Sequence, residues 1–325
     1  MNQLFDTSHP PSYYTGILKN IDRSPSYELV KALSYHADPN LQWCSSENAQ
    51  IVNSILDSFD YHPFIPQLIH QFKETSKRII KRTGLNTVIS SEPDNSVLLS
   101  QAWFLIDYGY NEEVSVLATL SAIDFLSQSI PSKIQAFKLL DHLPQLNESL
   151  MKDLKKAIKS CLVHVPPITP FEQSLDLLTH AYSWIYKLNV SNIDNIETIS
   201  TILSTLNSSP IQHFLLEQLS KFVTRLGIDV FISTSKIFYT LNQLILSIDS
   251  RTENIVLALK IEQDIIDLNH EFLLTYTYDF IGAWTIVSKR GNPTIQTQLS
   301  QNVSSLKKLA KDEHEISELC TYIVL

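Results

Sequence analysis

Val165-Pro-Pro-Ile-Thr-Pro-Phe-Glu-Gln-Ser-Leu-Asp-Leu-Leu-Thr-His-Ala-Tyr-Ser-Trp-Ile-Tyr-Lys-Leu188 is the stretch that decides the fold. Pro166, Pro167 and Pro170 fix φ and withdraw backbone donors, so the element that enters this run must stop there. The same residues open the next element. Thr169 is suited to cap a helix, Pro170 to its first position, and Glu172 to the first turn, where the dipole favours an acid. Beyond the corner, Leu175, Leu178, Tyr182 and Ile185 recur three or four residues apart, and Leu177, His180, Ala181 and Trp184 form a second stripe beside them. One stripe must enter a core; the other is open to either core or partner. A rigid corner followed by an amphipathic helix is a joint between packed helices rather than a catalytic loop.

The same grammar continues in both directions. Ile51, Ile55, Leu56 and Phe59 share a face, and so do Leu68, Ile69, Phe72, Ile79 and Ile80 after Pro66. Glu92-Pro93 restarts the chain before an apolar run that Gly109 closes, in the position of a left-handed helix cap. Asn111-Glu112-Glu113 then starts a helix whose Val114, Leu117, Leu120 and Ile123 point inward. The pattern predicts about fourteen helices, of ten to twenty residues each, and no strand. Helix pairs recur roughly every forty residues, the range of HEAT and armadillo units. The expected fold is all-α, a HEAT/armadillo-like α-solenoid of paired antiparallel helices. Residues 1–23, with His9-Pro-Pro and Gly16, read as an irregular arm; residues 24–325 read as a single helical-repeat domain with a joint at 164–170.

Composition narrows the function. The chain has 325 residues, 44% apolar and 18% charged, with only 6 Gly. Scarce glycine disfavours tight-turned sheets, phosphate loops and dinucleotide fingerprints. A net charge of −9 is the wrong sign for a general nucleic-acid binder. Cys44, Cys161 and Cys320 lie far apart and form no C-x-x-C spacing, which predicts reduced thiols and no zinc site. Met1-Asn-Gln-Leu-Phe-Asp lacks the basic and apolar regions of a signal peptide, and no run of about 18 apolar residues occurs. The expected setting is therefore cytoplasmic and nuclear, without a membrane.

No constellation of residues points to chemistry. Asp141-His142 reads as a helix end, and Asp264, Asp267 and Glu271 beside His270 as a solvated acidic face. Lys73, Lys77 and Lys81 with Arg78 and Arg82 form one basic stripe; Lys152, Lys155, Lys156 and Lys159 form another. Either stripe could meet phosphate, but no aromatic platform interleaves them. Trp103, Trp184 and Trp284 lie in apolar helices, and Tyr108, Tyr110, Tyr182 and Tyr186 include candidate interface anchors. No catalytic residue, cofactor or metal is expected.

Within the opening stretch, the order of Pro166, Pro167, Thr169, Pro170, Ser174, Leu177, Leu178, Ala181 and Tyr182 resembles the signature of the Tel-two-interacting protein two family, the small HEAT-repeat subunits of the Triple-T cochaperone complex. The resemblance covers about twenty residues and departs from the pattern at Ser183, where the family carries a proline. It implies a non-enzymatic scaffold working with Hsp90 in the maturation of phosphatidylinositol-3-kinase-related kinases, which serve checkpoint and growth signalling. The implied partners are the larger helical-repeat Tel-two-interacting subunit and the Tel-two subunit, with the nine signature residues as the implied partner-binding segment. The residues by themselves also admit a helical adaptor in transport or ubiquitin pathways, or a basic-patch nucleic-acid adaptor.

Overall fold

The computed structural model describes residues 1–83, 96–206, 210–311 and 313–323, with side-chain surroundings for all of these except 78–83 and 96. The readings at Ile79, Ile80, Arg78, Lys81, Arg82 and Glu92-Pro93 lie outside that description. Among the described residues there is no strand. The chain forms two compact units, Met1–Cys161 and Leu162–Leu325, where the sequence reading takes residues 24–325 as one domain.

The first unit holds α1 (Pro11–Lys19), α2 (Tyr27–Ser34), α3 (Ser46–Leu56), α4 (Ile65–Thr83), α5 (Ser96–Tyr108), α6 (Glu112–Phe125), α7 (Ile130–His142) and α8 (Met151–Cys161). Side chains of Ser26, Ser45 and Asn111 accept the backbone N–H three residues on and start α2, α3 and α6, so orphan donors are satisfied locally. Helix α4 packs on α5 and α6, α5 on α6 and α7, and α6 on α7 and α8, so α4, α6 and α8 form one layer and α5 and α7 the other. That is the packing of stacked helix pairs.

The reading of residues 1–23 as irregular is corrected by α1. Pro10 and Pro11 fall at the N-cap and first helical position, where the missing N–H removes no helix bond. Tyr14 and Leu18 are fully buried against the unit, and Asn48 of α3 donates to the Pro11 carbonyl at 3.1 Å. His36 Nε2 sits 3.0 Å from the Leu4 carbonyl.

Gly109 is a second correction. It ends α5 without a positive φ; the positive-φ glycines are Gly227 and Gly291. Its requirement is close approach, since a Cβ there would lie 2.6 Å from Ile65 Cγ2, a β-branched methyl with little room to rotate. Gly109→Ala should cost about 1–3 kcal/mol by overpacking, read as a lower urea midpoint at unchanged slope.

The second unit holds α9 (Phe171–Lys187), α10 (Asn192–Thr205), α11 (Ile211–Leu226), α12 (Thr234–Leu246), α13 (Thr252–Ile266), α14 (Thr277–Ser288), α15 (Pro293–Leu309) and α16 (His314–Leu319). Helices α9, α11, α13 and α15 pack in series as one layer, and α10, α12 and α14 as the other. Polar rungs tie equivalent positions of neighbours in a layer. Asn254 Nδ2 meets Gln212 Oε1, 42 residues apart; Asn292 Nδ2 meets Thr252 Oγ1, 40 apart; Thr240 Oγ1 reaches the Ser200 carbonyl, 40 apart. Helix starts therefore align with helix starts two elements on, so intervening helices run the opposite way. This is the roughly forty-residue period of the sequence in physical form: an all-α, HEAT/armadillo-like stack of antiparallel pairs.

Helices α12 and α14 begin at Thr234 and Thr277, after the 3-10 turns Gly227–Ser233 and Glu271–Tyr276. Those turns bring Phe231 to 4.9 Å from the His270 ring and 6.1 Å from Phe272, a contact between turns that no helical periodicity encodes. The three cysteines are free and buried; burial pushes the Cys44 thiol up to about 12 and the Cys161 thiol up to about 11, so neither is a reactive thiolate.

Candidate protein-interaction site

The proline corner delivers α9 into the second unit. The helix begins at Phe171 with Pro170 at its N-cap position, and Thr169 does not cap it. Instead the Thr169 carbonyl accepts the Ser174 hydroxyl at 3.2 Å, and the Pro170 carbonyl accepts the Ser174 N–H at 2.9 Å. The Pro166–Pro167 peptide is cis. Glu172 lies in the first turn, as the sequence indicates.

Most of the signature points inward. Thr169, Ser174, Leu177, Leu178, Ala181 and Tyr182 are all buried, and so are Trp184 and Ile185 of the two flanking stripes. Tyr182 lies against Phe214 and Phe222 of α11, and burial pushes its hydroxyl far above the usual phenol range. The assignment of these six signature residues to a partner surface is therefore corrected: they are covered by the unit's own core, while Leu175 and His180 of the two stripes are half-buried. Pro166 is half-buried, and only Pro167 and Pro170 of the nine are exposed. A signature made of core residues records what the corner needs in order to fold.

What the corner shows outward lies between those residues. Ile168 is 87% exposed at its tip, flanked by Val163 at 59% and Phe171 at 37%. Val163 also lines a shallow groove of about 370 Å³ over α10 and α12, with Asp194, Glu197, Thr201, Ile202 and Lys236. An isoleucine held out on a proline-stiffened turn loses little conformational freedom on contact, which is what an interface anchor requires. Further along the same unit Ile232, Tyr239 and Ile248 are exposed. Sequence reasoning missed all of these: Ile168 belongs to no periodic stripe, and the others fall within helical or turn segments whose outward face has no separate signal.

The remaining constellations are structural. His142 Nε2 pairs with Asp107 at 2.7 Å while its ring stacks on Trp103 at 3.6 Å. His270 starts its own turn by accepting the Phe272 N–H. Among the described residues no group of three His, Cys, Asp or Glu could hold a metal ion, and no helix is long and apolar enough to cross a membrane. Lys73 pairs with Glu113 and Lys77 with Glu74, so part of the first basic stripe is neutralised locally. Trp284 donates its indole N–H to Glu262 Oε2 at 2.8 Å, both fully buried. Of the four tyrosines considered as anchors, Tyr110 is exposed, Tyr182 is core, and Tyr108 and Tyr186 are half-buried.

Comparison with curated proteins and with solved structures returned no match. Comparison with family models did. Residues 113–249, from α6 through α12, match the model of the Tti2 family, and that span contains the proline corner with its buried signature. A helical-repeat architecture and a family model that runs through the proline corner agree: residues 113–249 of this chain are similar to the Tti2 family.

Proposed function

We propose that this chain is a non-enzymatic scaffold subunit that holds the larger helical-repeat Tel-two-interacting subunit, and through it the Tel-two subunit. The assembly works with Hsp90 in the maturation and stability of phosphatidylinositol-3-kinase-related kinases, in the cytoplasm and nucleus. It requires no cofactor and contacts neither nucleic acid nor membrane. The observation that carries this reading is that the family match runs through a corner whose apolar tip, Ile168, stands 87% exposed on a buried framework. Exposed apolar residues on a rigid element are the usual anchors of a protein interface, and extended helical stacks offer long surfaces for such contacts.

The test is capture of the larger subunit by the wild-type chain and by Ile168→Asp. The substitution removes an apolar contact and adds a charge that must be desolvated at the interface, so capture should weaken about tenfold or more. Its melting curve should stay within about 0.5 kcal/mol of wild type, because the side chain touches little of its own unit. Equal capture by both proteins would remove the corner from the interface. Failure of the wild-type chain to capture the subunit at all would remove the proposed role.

A further inference from the structure

Helix α14 carries a glycine that its own unit does not require. Gly282 stands mid-helix on the exposed side, its φ is not left-handed, and a Cβ added there would meet nothing within 4 Å. A glycine inside a helix weakens it relative to alanine, so this one is a local cost with no return in packing or turn geometry. One turn to either side, about 6 Å along the axis, stand Tyr278 at 58% exposed and Ile286 at 54%. At about 100° per residue the three fall within about 80° of one another, with Gly282 in the middle. The outward ridge of α14 is therefore a knob, a notch and a second knob. Tyr239 of α12, in the same layer, is exposed as well. The two ends of the ridge differ in charge. Asp279 adjoins Tyr278, and the carboxylates of Glu315 and Glu313 push the Tyr278 hydroxyl up. Lys289 and Arg290 follow Ile286. Asp279 and Lys289 are exposed and have no ion pair among the described residues.

We propose that this ridge is a homodimer interface, on which α14 of a second copy of this chain docks antiparallel with glycine against glycine on a two-fold axis. Shape argues for a copy. Tyr278 and Ile286 lie four residues before and four after Gly282, so a two-fold through the glycine sets each tyrosine against the isoleucine of the other protomer, at both ends at once. The missing side chains at the crossing let the two backbones approach closely. Charge fixes the direction. Antiparallel docking brings the lysine end of one helix toward the acidic end of the other, whereas parallel docking would set like charges together. A helix from a different protein would have to reproduce the same spacing and the same order of charges, which α14 already possesses. The ridge lies beyond residues 113–249, and its test does not involve the larger subunit.

The test is sedimentation equilibrium of the full chain. A contact centred on one helix pair should dissociate in the range of about 10–100 µM, so a monomer–dimer equilibrium should be visible there. Gly282→Leu fills the notch and should weaken the dimer about tenfold or more. Its urea midpoint should hold or rise, because leucine favours the helix and meets no neighbour in its own unit. Lys289→Glu should weaken the dimer about threefold. Gly282→Cys reads the axis itself. The three native cysteines are buried, so under mild oxidation the new thiol should yield a disulfide-linked dimer. Lys221→Cys, at an exposed position on α11 of the other layer, should not. A chain that stays monomeric throughout that range, leaving the face to a different protein, overturns the proposal. So does a dimer indifferent to Gly282→Leu, or a Gly282→Cys protein that crosslinks no more than the Lys221→Cys control.

Discussion

Leu177→Asp should unfold the second unit rather than merely weaken a contact. Leu177 is fully buried on α9, and Leu178 and Ala181 beside it are equally closed off. Removing a buried leucine costs about 2–5 kcal/mol through lost burial and cavity. Placing a carboxylate there adds the penalty of an unpaired buried charge, which brings the total to roughly 5 kcal/mol or more, a large part of a typical domain's stability. Helical ellipticity at physiological temperature should fall, and capture of any partner should fail with it. The informative comparison is with Ile168→Asp, nine residues earlier in the same segment, which should retain its melting curve while losing its partner. A Leu177→Asp protein that melted like wild type would place that side chain on the surface.

The second large effect is on pH dependence. Glu262 on α13 is fully buried, one oxygen accepting the Trp284 N–H and the other without a partner, and burial raises its carboxyl from 4.5 to about 8. The folded state therefore holds a proton that the unfolded state releases. Its stabilising contribution is complete below about 4.5 and is lost as pH rises through about 8. In that window the group should lower stability by about 1.4 kcal/mol for each pH unit. His36 acts in the opposite sense. Its burial lowers the ring from 6.5 to about 4, so it favours folding increasingly as pH rises between those values. The clean measurement is the difference between wild type and Glu262→Gln in urea midpoints at pH 5, 6, 7 and 8. The glutamine keeps a carbonyl oxygen for Trp284 and carries no titrating proton, so the difference should slope with pH. Parallel curves would show that Glu262 titrates normally and is solvated.

The fold was legible where a residue's role is local. Asn111 with Glu112 and Glu113 reads as a helix start, and it is one, because a side-chain cap and the dipole act within a single turn. The forty-residue period was legible as well, because each pair must bury its apolar face against the next. Readings failed where a distant residue decides. Gly109 looks like a left-handed cap, but Ile65, forty-four positions earlier, sets its requirement. The 3-10 turn Gly227–Ser233 is stabilised by a meeting of Phe231 with His270 that neither segment announces alone.

The run 165–188 holds the corner proposed as an interface, and its conspicuous residues are conspicuous because they build the core. Amphipathic periodicity marks both stripes of α9 as apolar without saying that α11 covers one of them with Phe214 and Phe222. Ile168 had no periodic partner, and the absence of such a partner is the one trace of its outward position.

The amide and hydroxyl rungs of the second unit have a mechanical consequence. Sliding one helix past its layer neighbour by a turn, about 5.4 Å, would sever several of these polar ties together and leave the ends of the buried ones unpaired. Slippage is thereby forbidden while gentle flexing, shared among many interfaces, stays cheap. A load applied to this unit meets a spring with a single rest length, not a ratchet with several.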